Sequence, residues 1–269
     1  MIRLLVSDID GTLVTKEKAL TAQVRAAAAA LTAHNVQLVL VSSRPTRGVA
    51  MFADALQLTT PRAAFNGGVF SDPNGQILLQ HLLEEDAARE AVSYLQLHGI
   101  SPWLFTATEW LVTDEHGDYV DWEQRTVKLQ PRAVENLIPF SGQAGKIMAA
   151  SKDFAKLAAC EAALQRSLAG RAAVHRSQDY YLDITHPLAN KGQAVREAAR
   201  LLNIDLAHTA CIGDMRNDMP MFDVATYKIA MANAPEEMRG QADYVTASNQ
   251  ESGWAQAVEQ YILPNAVGA

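Results

Sequence analysis

Runs of apolar residues alternate with amphipathic stretches over residues 1–66. Three short runs are almost wholly apolar, which is typical of strands buried on both faces. These runs are residues 4–7, 36–41 and 63–65. Between them, Thr21 can cap a helix that ends near His34, and Pro45 can occupy the first turn of a helix that ends near Leu56. The alternation predicts a parallel sheet covered by helices on both faces.

The end of the chain repeats this alternation. The predicted elements are helices at 192–202, 218–224, 235–240 and 252–262, and strands at 209–212, 227–230 and 244–245. Short apolar strands between helices again favour parallel pairing in one sheet. Both ends of the chain are therefore expected to contribute to the same doubly wound, Rossmann-like parallel sheet.

The middle of the chain has a different pattern. Residues 69–70 and 76–82 flank the turn sequence Ser-Asp-Pro-Asn-Gly at 71–75, which predicts a hairpin. Helices are predicted at 85–98 and 154–168, and short strands at 103–106, 110–113, 146–150, 172–176 and 180–184. Helices beside short strands are typical of an α+β unit. We therefore predict a core formed by residues 1–83 and 188–269, interrupted by an α+β insertion at 84–187.

Composition narrows the class of protein. The chain of 269 residues carries 23 Lys and Arg against 30 Asp and Glu, a net charge of −7. This balance argues against nucleic acid or an anionic membrane as a partner, because both require a basic face. The two cysteines cannot form a disulfide framework. With no apolar run near ~18 residues and no secretory leader pattern, we expect a cytoplasmic protein; its oligomeric state is not readable from the sequence.

Two carboxylates follow the first predicted strand, in the run Asp8-Ile9-Asp10-Gly11. In an open α/β sheet, ligands bind at the carboxyl ends of the strands. Two carboxylates at such a position can bind a divalent cation or divide the roles of nucleophile and acid/base. The alternative is a simple turn that closes the strand, for which Asp-Gly is common.

Hydroxyl groups and a lysine begin two of the predicted helices. Ser42 and Ser43 stand where free N–H groups and hydroxyls can bind phosphate, although serine is also an ordinary capping residue. Lys191 precedes a helix and would meet an anion there, but most single lysines are simply exposed on the surface.

A second acidic group follows a later apolar strand. Asp214 and Asp218 flank a short loop that opens a helix, with Asn217 between them. Carboxylate oxygens suit Mg²⁺, which uses one or two carboxylates together with water and phosphate oxygens. The structural alternative is a helix cap formed by Asp218.

Taken together, these strand ends present Asp/Asp, Ser/Ser, Lys and Asp/Asn/Asp, in that order, at one edge of one sheet. This order resembles the motif set of the haloacid dehalogenase-like (HAD) phosphatases. The long insertion after Asn66-Gly67 and the stretches at 231–237 and 242–246 are similar to the Cof-type branch (subfamily IIB), which has a large α/β cap. The sequence departs from the family where Ser42-Ser43-Arg44 replaces Thr-Gly-Arg and where Trp254 replaces a small apolar residue.

The resemblance implies a role for each motif residue. Asp8 would be the nucleophile that becomes an aspartyl-phosphate, and Asp10 the general acid/base. Lys191 would neutralise the nucleophile and the phosphate. The implied phosphate contacts are the side chains of Ser42 and Asn217 and the backbone N–H groups of Ile9 and Ser43. The implied Mg²⁺ site consists of Asp8, Asp214, Asp218 and the backbone carbonyl of Asp10.

These roles imply a Mg²⁺-dependent phosphatase for small phosphorylated metabolites, with sugar phosphates as one class. A phosphotransferase or phosphomutase on the same scaffold would carry the same motifs. A non-enzymatic regulator phosphorylated on aspartate is a further alternative, but the insertion and the acid/base at Asp10 argue against it. The histidines have no zinc-ligand spacing, and His186 is expected at a hinge. The tryptophans of the insertion, Trp103, Trp110 and Trp122, are expected to be core residues rather than a sugar-binding surface.

Overall fold

A parallel sheet carries the residues of interest. The computed structural model describes residues 1–266, and its strands fall into three sheets. The strands are β1 (Leu4–Ser7), β2 (Gln37–Leu40), β3 (Arg62–Ala64), β4 (Val69–Ser71), β5 (Ile77–Gln80), β6 (Pro102–Phe105), β7 (Trp110–Val112), β8 (Arg132–Ala133), β9 (Lys146–Ala150), β10 (Ala173–Gln178), β11 (Tyr181–Thr185), β12 (Thr209–Gly213), β13 (Tyr227–Ala230) and β14 (Tyr244–Val245).

The first sheet has the order β14-β13-β12-β1-β2, with every pair parallel. The strand β1 lies between β12 and β2, and all of its residues are buried. Its apolar side chains extend to both faces, which is why the sequence shows no alternation there. The ends of β1 and β12 therefore lie side by side at one edge, as the doubly wound prediction requires.

The predicted third strand of this sheet is placed differently. Instead of continuing the parallel sheet, β3 pairs antiparallel with β4, which pairs with β5. Only an isolated parallel bridge, Val41 to Ala63, joins β3 to the end of β2. The cause is local: the chain reverses through the turn Phe65–Gly67, where Asn66 adopts a left-handed conformation with φ of 57°, and the next strand folds back onto β3.

Helices cover the sheets: α1 (Ala22–Ala33), α2 (Thr46–Ala55), α3 (Glu85–Leu97), α4 (Val120–Val127), α5 (Phe154–Ser167), α6 (Lys191–Leu201), α7 (Met219–Phe222), α8 (Glu236–Arg239) and α9 (Gly253–Ala257). Thr21 caps α1 as predicted, accepting a hydrogen bond from the Val24 N–H at 3.2 Å. The predicted closing helix is divided: α9 continues as a π-helix at Val258–Ile262.

The six-stranded sheet, with the order β10-β11-β9-β6-β7-β8, is antiparallel except for the pair β7–β8. We call it the cap sheet, and all of its strands lie within residues 84–187. One face packs against α3 and α5 through residues such as Ile147, Leu95 and Leu157, which share one buried cluster. The other face carries Trp103 and Phe105, which share a cluster with residues of the parallel sheet and its loops. The cap sheet thus covers the parallel-sheet core.

The structure bears out the predicted fold class, an α/β core with an additional α+β cap. The boundaries 1–83, 84–187 and 188–269 stay a prediction, and residues 267–269 of the last segment lie outside the described residues. Within residues 1–266, no helix has the length and apolar character that a membrane span requires.

Candidate active site

Three carboxylates meet at the edge where β1 and β12 end. Asp8 follows β1, while Asp214 and Asp218 follow β12. Each offers an oxygen that lies within 4.8 Å of the other two. All three side chains are buried. Residues separated by about two hundred positions are thus brought together because their strands are neighbours in one sheet.

Lys191 lies between two of these carboxylates. Its Nζ donates to Asp8 Oδ1 at 2.6 Å and to Asp218 Oδ1 at 2.5 Å. It begins α6, which Asn190 caps by accepting a hydrogen bond from the Gln193 N–H at 2.9 Å. Burial alone would lower the pKa of Lys191, but the carboxylates of Asp218 and Asp8 hold it above its ordinary value. Lys191 is therefore a permanently charged buried ammonium, not the exposed lysine of the structural alternative.

Negative charge exceeds positive charge in this group. Burial raises the pKa of Asp8 well above 3.8, against the opposing effect of Lys191. Burial, followed by the charge of Asp218, raises the pKa of Asp214 to about 6. Three carboxylates face one ammonium, and oxygen ligands so arranged suit a hard divalent cation. The donor set therefore fits Mg²⁺.

Asp218 has a second structural role through its other oxygen. Its Oδ2 accepts hydrogen bonds from the N–H groups of Asp214 and Met215, both at 2.9 Å. The carboxylate thus closes the loop after β12 while its Oδ1 binds Lys191. A Cβ at Gly213 would lie 2.6 Å from the Asp218 side chain, so glycine is required there for this close approach.

Asp214 is oriented by two residues that the sequence motifs contained but to which we assigned no role. Thr12 Oγ1 donates to Asp214 Oδ1 at 2.8 Å, and Asn233 Nδ2 donates to Asp214 Oδ2 at 3.2 Å and to the Gly11 carbonyl at 2.9 Å. Gly11 has a φ of +86°, and a Cβ there would lie 2.2 Å from Asp214 Oδ2. The only available signal was their position, since Thr12 directly follows the run Asp8-Ile9-Asp10-Gly11 and Asn233 lies in the stretch 231–237.

The carboxylate of Asp10 is not part of the three-carboxylate group. It binds Arg44 through Nε–Oδ2 at 2.6 Å and Nη2–Oδ1 at 2.8 Å, and Lys18 through Nζ–Oδ1 at 2.6 Å. Burial favours the protonated form, but the hydrogen bonds and charges of Arg44 and Lys18 outweigh it and lower the pKa of Asp10 to about 2. The sequence prediction assigned only the backbone carbonyl of Asp10 to the metal, which leaves its side chain free for these contacts.

The predicted phosphate contacts lie around the same edge. Ser42 is buried, and its Oγ accepts a hydrogen bond from the Arg44 N–H at 3.2 Å. Asn217 is exposed and donates to Asn66 Oδ1 at 3.4 Å. The side chain of Ile9 is buried and that of Ser43 half-buried. Phosphate binding by these groups stays a prediction.

Trp254 contacts the end of β1. It is fully buried, and its Nε1–H donates to Ser7 Oγ at 2.9 Å, while the Ser7 hydroxyl donates to the Asp8 carbonyl at 2.7 Å. The bulky residue that departed from the family pattern is therefore packed and fully hydrogen-bonded. A buried tryptophan needs such a partner for its ring N–H, which is a signal that could have pointed to this contact.

Of the tryptophans expected to be core residues, two are buried and one is exposed. Trp103 and Trp110 are buried in the cluster between the cap sheet and the core, as expected. Trp122 is 56% exposed on α4, so the expectation that it is a core residue is wrong. Across residues 1–266, the group of side chains that could hold a metal contains Asp alone, without His or Cys. Cys160 and Cys211 are buried and unpaired.

Comparison with known proteins identifies the family of this chain. The family model for haloacid dehalogenase-like hydrolases matches residues 5–258. The Bacillus subtilis protein YxeH, a phosphatase by name, is 30% identical over 98% of this chain and 99% of its own length. The 5-amino-6-(5-phospho-D-ribitylamino)uracil phosphatase YwtE of the same organism is 26% identical over 95% of this chain and 96% of its own length.

A solved structure shows the same likeness in three dimensions. The crystal structure of a haloacid dehalogenase-like hydrolase from Bacteroides thetaiotaomicron has a TM-score of 0.89 at 25% identity, over 97% of this chain and 99% of that one. The agreement spans core and cap together, and it confirms the resemblance drawn from the motifs. This chain belongs to the family of haloacid dehalogenase-like hydrolases, and it is a phosphatase of that family.

Proposed function

We propose that this protein is a Mg²⁺-dependent phosphatase that hydrolyses small phosphorylated metabolites through an aspartyl-phosphate on Asp8. The supporting observation is the buried contact between Lys191 and Asp8 beside Asp214 and Asp218. Attack by a carboxylate on a phosphate dianion is opposed by charge repulsion, so a nucleophile needs positive charge at its side. Lys191 is placed to supply that charge.

The residues proposed to hold Mg²⁺ are Asp8, Asp214, Asp218 and the backbone carbonyl of Asp10. When bound, the cation would offset the charge of the phosphate oxygens and orient the ester. Thr12 and Asn233 would keep Asp214 in position for this role. Ser42, Asn217 and the N–H groups of Ile9 and Ser43 would bind the phosphoryl oxygens.

Asp8 would attack phosphorus while the alcohol leaves with a proton from Asp10. Asp10 would then take a proton from the water that attacks the aspartyl-phosphate, which releases inorganic phosphate and restores Asp8. The ion pairs of Asp10 with Arg44 and Lys18 keep it deprotonated. Our proposal therefore requires that Arg44 and Lys18 leave Asp10, and that Asp10 takes up a proton from water, before the alcohol departs.

The insertion at 84–187 would close over the site and exclude water. Two contacts from the core reach it: Arg44 Nη1 donates to the Thr126 carbonyl at 3.0 Å, and Thr46 Oγ1 donates to the Ala107 carbonyl at 2.7 Å. A site covered in this way favours small esters, sugar phosphates among them. We place the protein in the cytoplasm, in keeping with its unpaired cysteines.

The direct test is hydrolysis of p-nitrophenyl phosphate with and without Mg²⁺. We expect turnover by the wild type with Mg²⁺, none with excess EDTA, and none by Asp8→Asn, whose circular dichroism should match the wild type. Asp223→Asn, an exposed change near the same loop, should retain full activity. Wild-type rates in Asp8→Asn would exclude the mechanism.

The products separate hydrolysis from the phosphomutase alternative. Release of one inorganic phosphate per ester consumed is expected. An isomerised sugar phosphate without free phosphate would show instead that the phosphoryl group passes to a second hydroxyl.

A further inference from the structure

The face of the cap sheet that covers the core carries a buried polar group. Lys146 on β9 lies opposite Thr185 on β11, and Asp183 lies opposite Met148. Side chains alternate along a strand, and the intervening Ile147 packs with the cap helices. The three polar side chains therefore share the core-facing side with Met148. They are almost completely buried, at 6% (Lys146), 2% (Asp183) and 2% (Thr185) exposure.

One polar atom of this group lacks a partner. Lys146 Nζ lies 2.7 Å from Asp183 Oδ1, so these two side chains form a buried ion pair. Among the described residues, Thr185 Oγ1 has no hydrogen bond. An unsatisfied buried polar group costs about 1–3 kcal/mol. A ligand hydroxyl that binds Thr185 beside this ion pair would remove that cost, so the group points to a binding function.

Glu123 connects this group to the catalytic edge. It lies on α4, is 9% exposed, and its Oε2 accepts a hydrogen bond from the Tyr181 hydroxyl at 3.1 Å. Burial raises the pKa of Glu123, and the charges that act on it include Lys146, Asp183 and Arg44. Arg44, which binds Asp10, also donates to the Thr126 carbonyl of α4, so this helix joins the polar group to the proposed acid/base.

The charges favour a neutral ligand group. Lys146 is one ammonium beside two carboxylates, Asp183 and Glu123, and in this structure Arg44 binds Asp10 instead. A carboxylate or second phosphate bound there would face both acids in a poorly screened environment. A hydroxyl group can donate to Asp183 and accept from Lys146 at once. On the adjacent strand, Phe105 lies opposite Lys146 and offers an apolar surface to the carbon skeleton.

We propose that Lys146, Asp183 and Thr185 bind the alcohol portion of the ester and select an alcohol that carries a neutral hydroxyl over one that carries an anionic group at the same position. This inference rests on the proposed phosphatase function and adds residues that determine its specificity. These residues act on substrate recognition and leave the chemistry at Asp8 unchanged.

A matched pair of substrates provides the test. Sorbitol 6-phosphate and 6-phosphogluconate differ in a terminal CH₂OH and a carboxylate. The wild type should show a kcat/KM at least tenfold higher for sorbitol 6-phosphate. Asp183→Asn, which keeps the shape and removes the charge, should reduce this ratio at least tenfold. p-Nitrophenyl phosphate, which has no hydroxyl to bind, measures any loss of kcat/KM that is common to all substrates, and the ratio is independent of such a loss.

The control variant is Asp179→Asn, an 82% exposed carboxylate between β10 and β11, which should leave the ratio unchanged. If Asp183→Asn does not fold, Thr185→Val provides the same comparison, with an expected loss of at least fivefold for sorbitol 6-phosphate alone. The inference would be overturned if the wild type had equal kcat/KM for the two phosphates. It would also be overturned if the variants lost kcat/KM equally for sorbitol 6-phosphate and 6-phosphogluconate.

Binding separates this inference from the proposed mechanism. The Kd of each of the two phosphates for the Asp8→Asn protein should show the same tenfold preference by calorimetry, without turnover. Preference in binding with no hydrolysis by the wild type would support the subsite and refute the phosphatase mechanism. Equal affinities together with hydrolysis by the wild type would refute the subsite and support the phosphatase mechanism.

Discussion

The guanidinium group of Arg44 binds the carboxylate of Asp10 through two hydrogen bonds, at 2.6 and 2.8 Å. Its remaining nitrogen donates to the Thr126 carbonyl of α4. One side chain therefore contacts both the proposed acid/base and the helix that lies over it. Withdrawal of α4 and release of Asp10 are thereby linked, because both depend on where Arg44 lies.

Arg44→Ala should raise the pKa of Asp10. Its carboxyl group titrates at about 2, below the ordinary 3.8, and Arg44 is the first of the charged groups responsible. Removal of one close cation raises such a pKa by about one pH unit or more. Titration of the Asp10 carboxyl carbon by NMR measures the shift. Arg47→Ala, an exposed change in the first turn of α2, three residues after Arg44, should leave the midpoint in place. Equal midpoints in both variants would contradict the assigned contact.

The metal-free protein should lose stability as the pH rises toward neutrality. The folded-state pKa of Asp214 is raised from 3.8 to about 6. Its contribution to folding is therefore fully present below pH 3.8 and is lost as the pH rises through about 6. Asp214→Asn removes this loss and should raise the free energy of unfolding at pH 7.5, in EDTA, by about 1–3 kcal/mol.

Urea unfolding at pH 4.5 and 7.5 measures this effect. Asp223→Asn should follow the wild type at both values. Saturating Mg²⁺ should make the wild type more stable than Asp214→Asn at pH 7.5, because the ion binds the wild type and stabilises it by mass action. An unchanged order in Mg²⁺ would count against Asp214 as a ligand.

Gly11→Ala should disrupt the site through contact with Asp214. Its added Cβ would lie 2.2 Å from Asp214 Oδ2, at a φ of +86°. Gly75→Ala offers a matched control, with a φ of +85° and no atom within 4 Å of the added Cβ. Gly75→Ala should cost about 1–2 kcal/mol from backbone strain alone.

The Mg²⁺ concentration for half-maximal activity distinguishes the two glycine variants. It should rise at least tenfold in Gly11→Ala and stay unchanged in Gly75→Ala. An equal Mg²⁺ requirement in the two variants would mean that Asp214 tolerates displacement by the added Cβ.

Trp254→Phe should destabilise the protein through Ser7. The change leaves the Ser7 hydroxyl without its donor in a buried place, and the smaller ring adds a void. A loss of about 1–3 kcal/mol is expected in urea unfolding. Trp122→Phe, at a 56% exposed position, should stay within about 0.5 kcal/mol of the wild type. Matching losses would show that burial of the indole is not what stabilises this edge.

Much of the core could be predicted from apolar runs. The strands β1, β2 and β12 are almost wholly buried, so their sequences are nearly continuously apolar. Their bounds, and those of β13, agree with prediction within two residues. The convergence of Asp8, Lys191, Asp214 and Asp218 followed from the parallel order. Each of these residues ends a strand or begins a helix at the same edge.

The missed features depend on contacts that no local pattern encodes. The helix α4 begins after Tyr119 in a left-handed conformation without a capping side chain, and the two residues of β8 are exposed. Neither carries an apolar period. The sequence also does not predict the partners of Asp10, because Lys18 lies in a polar loop and meets Asp10 only in the folded protein. The pairing of β3 was set by the reversal at Asn66.

The insertion begins and ends at one point of the molecule. The ring of His81, just before the insertion, stacks on that of His186, near its last residue, with centroids 5.5 Å apart. Ends this close can be joined by a short loop at small entropic cost, and no strand of the parallel sheet comes from residues 84–187. We therefore expect that a change in the length or sequence of the insertion alters recognition and leaves the carboxylates beside the same neighbouring strands.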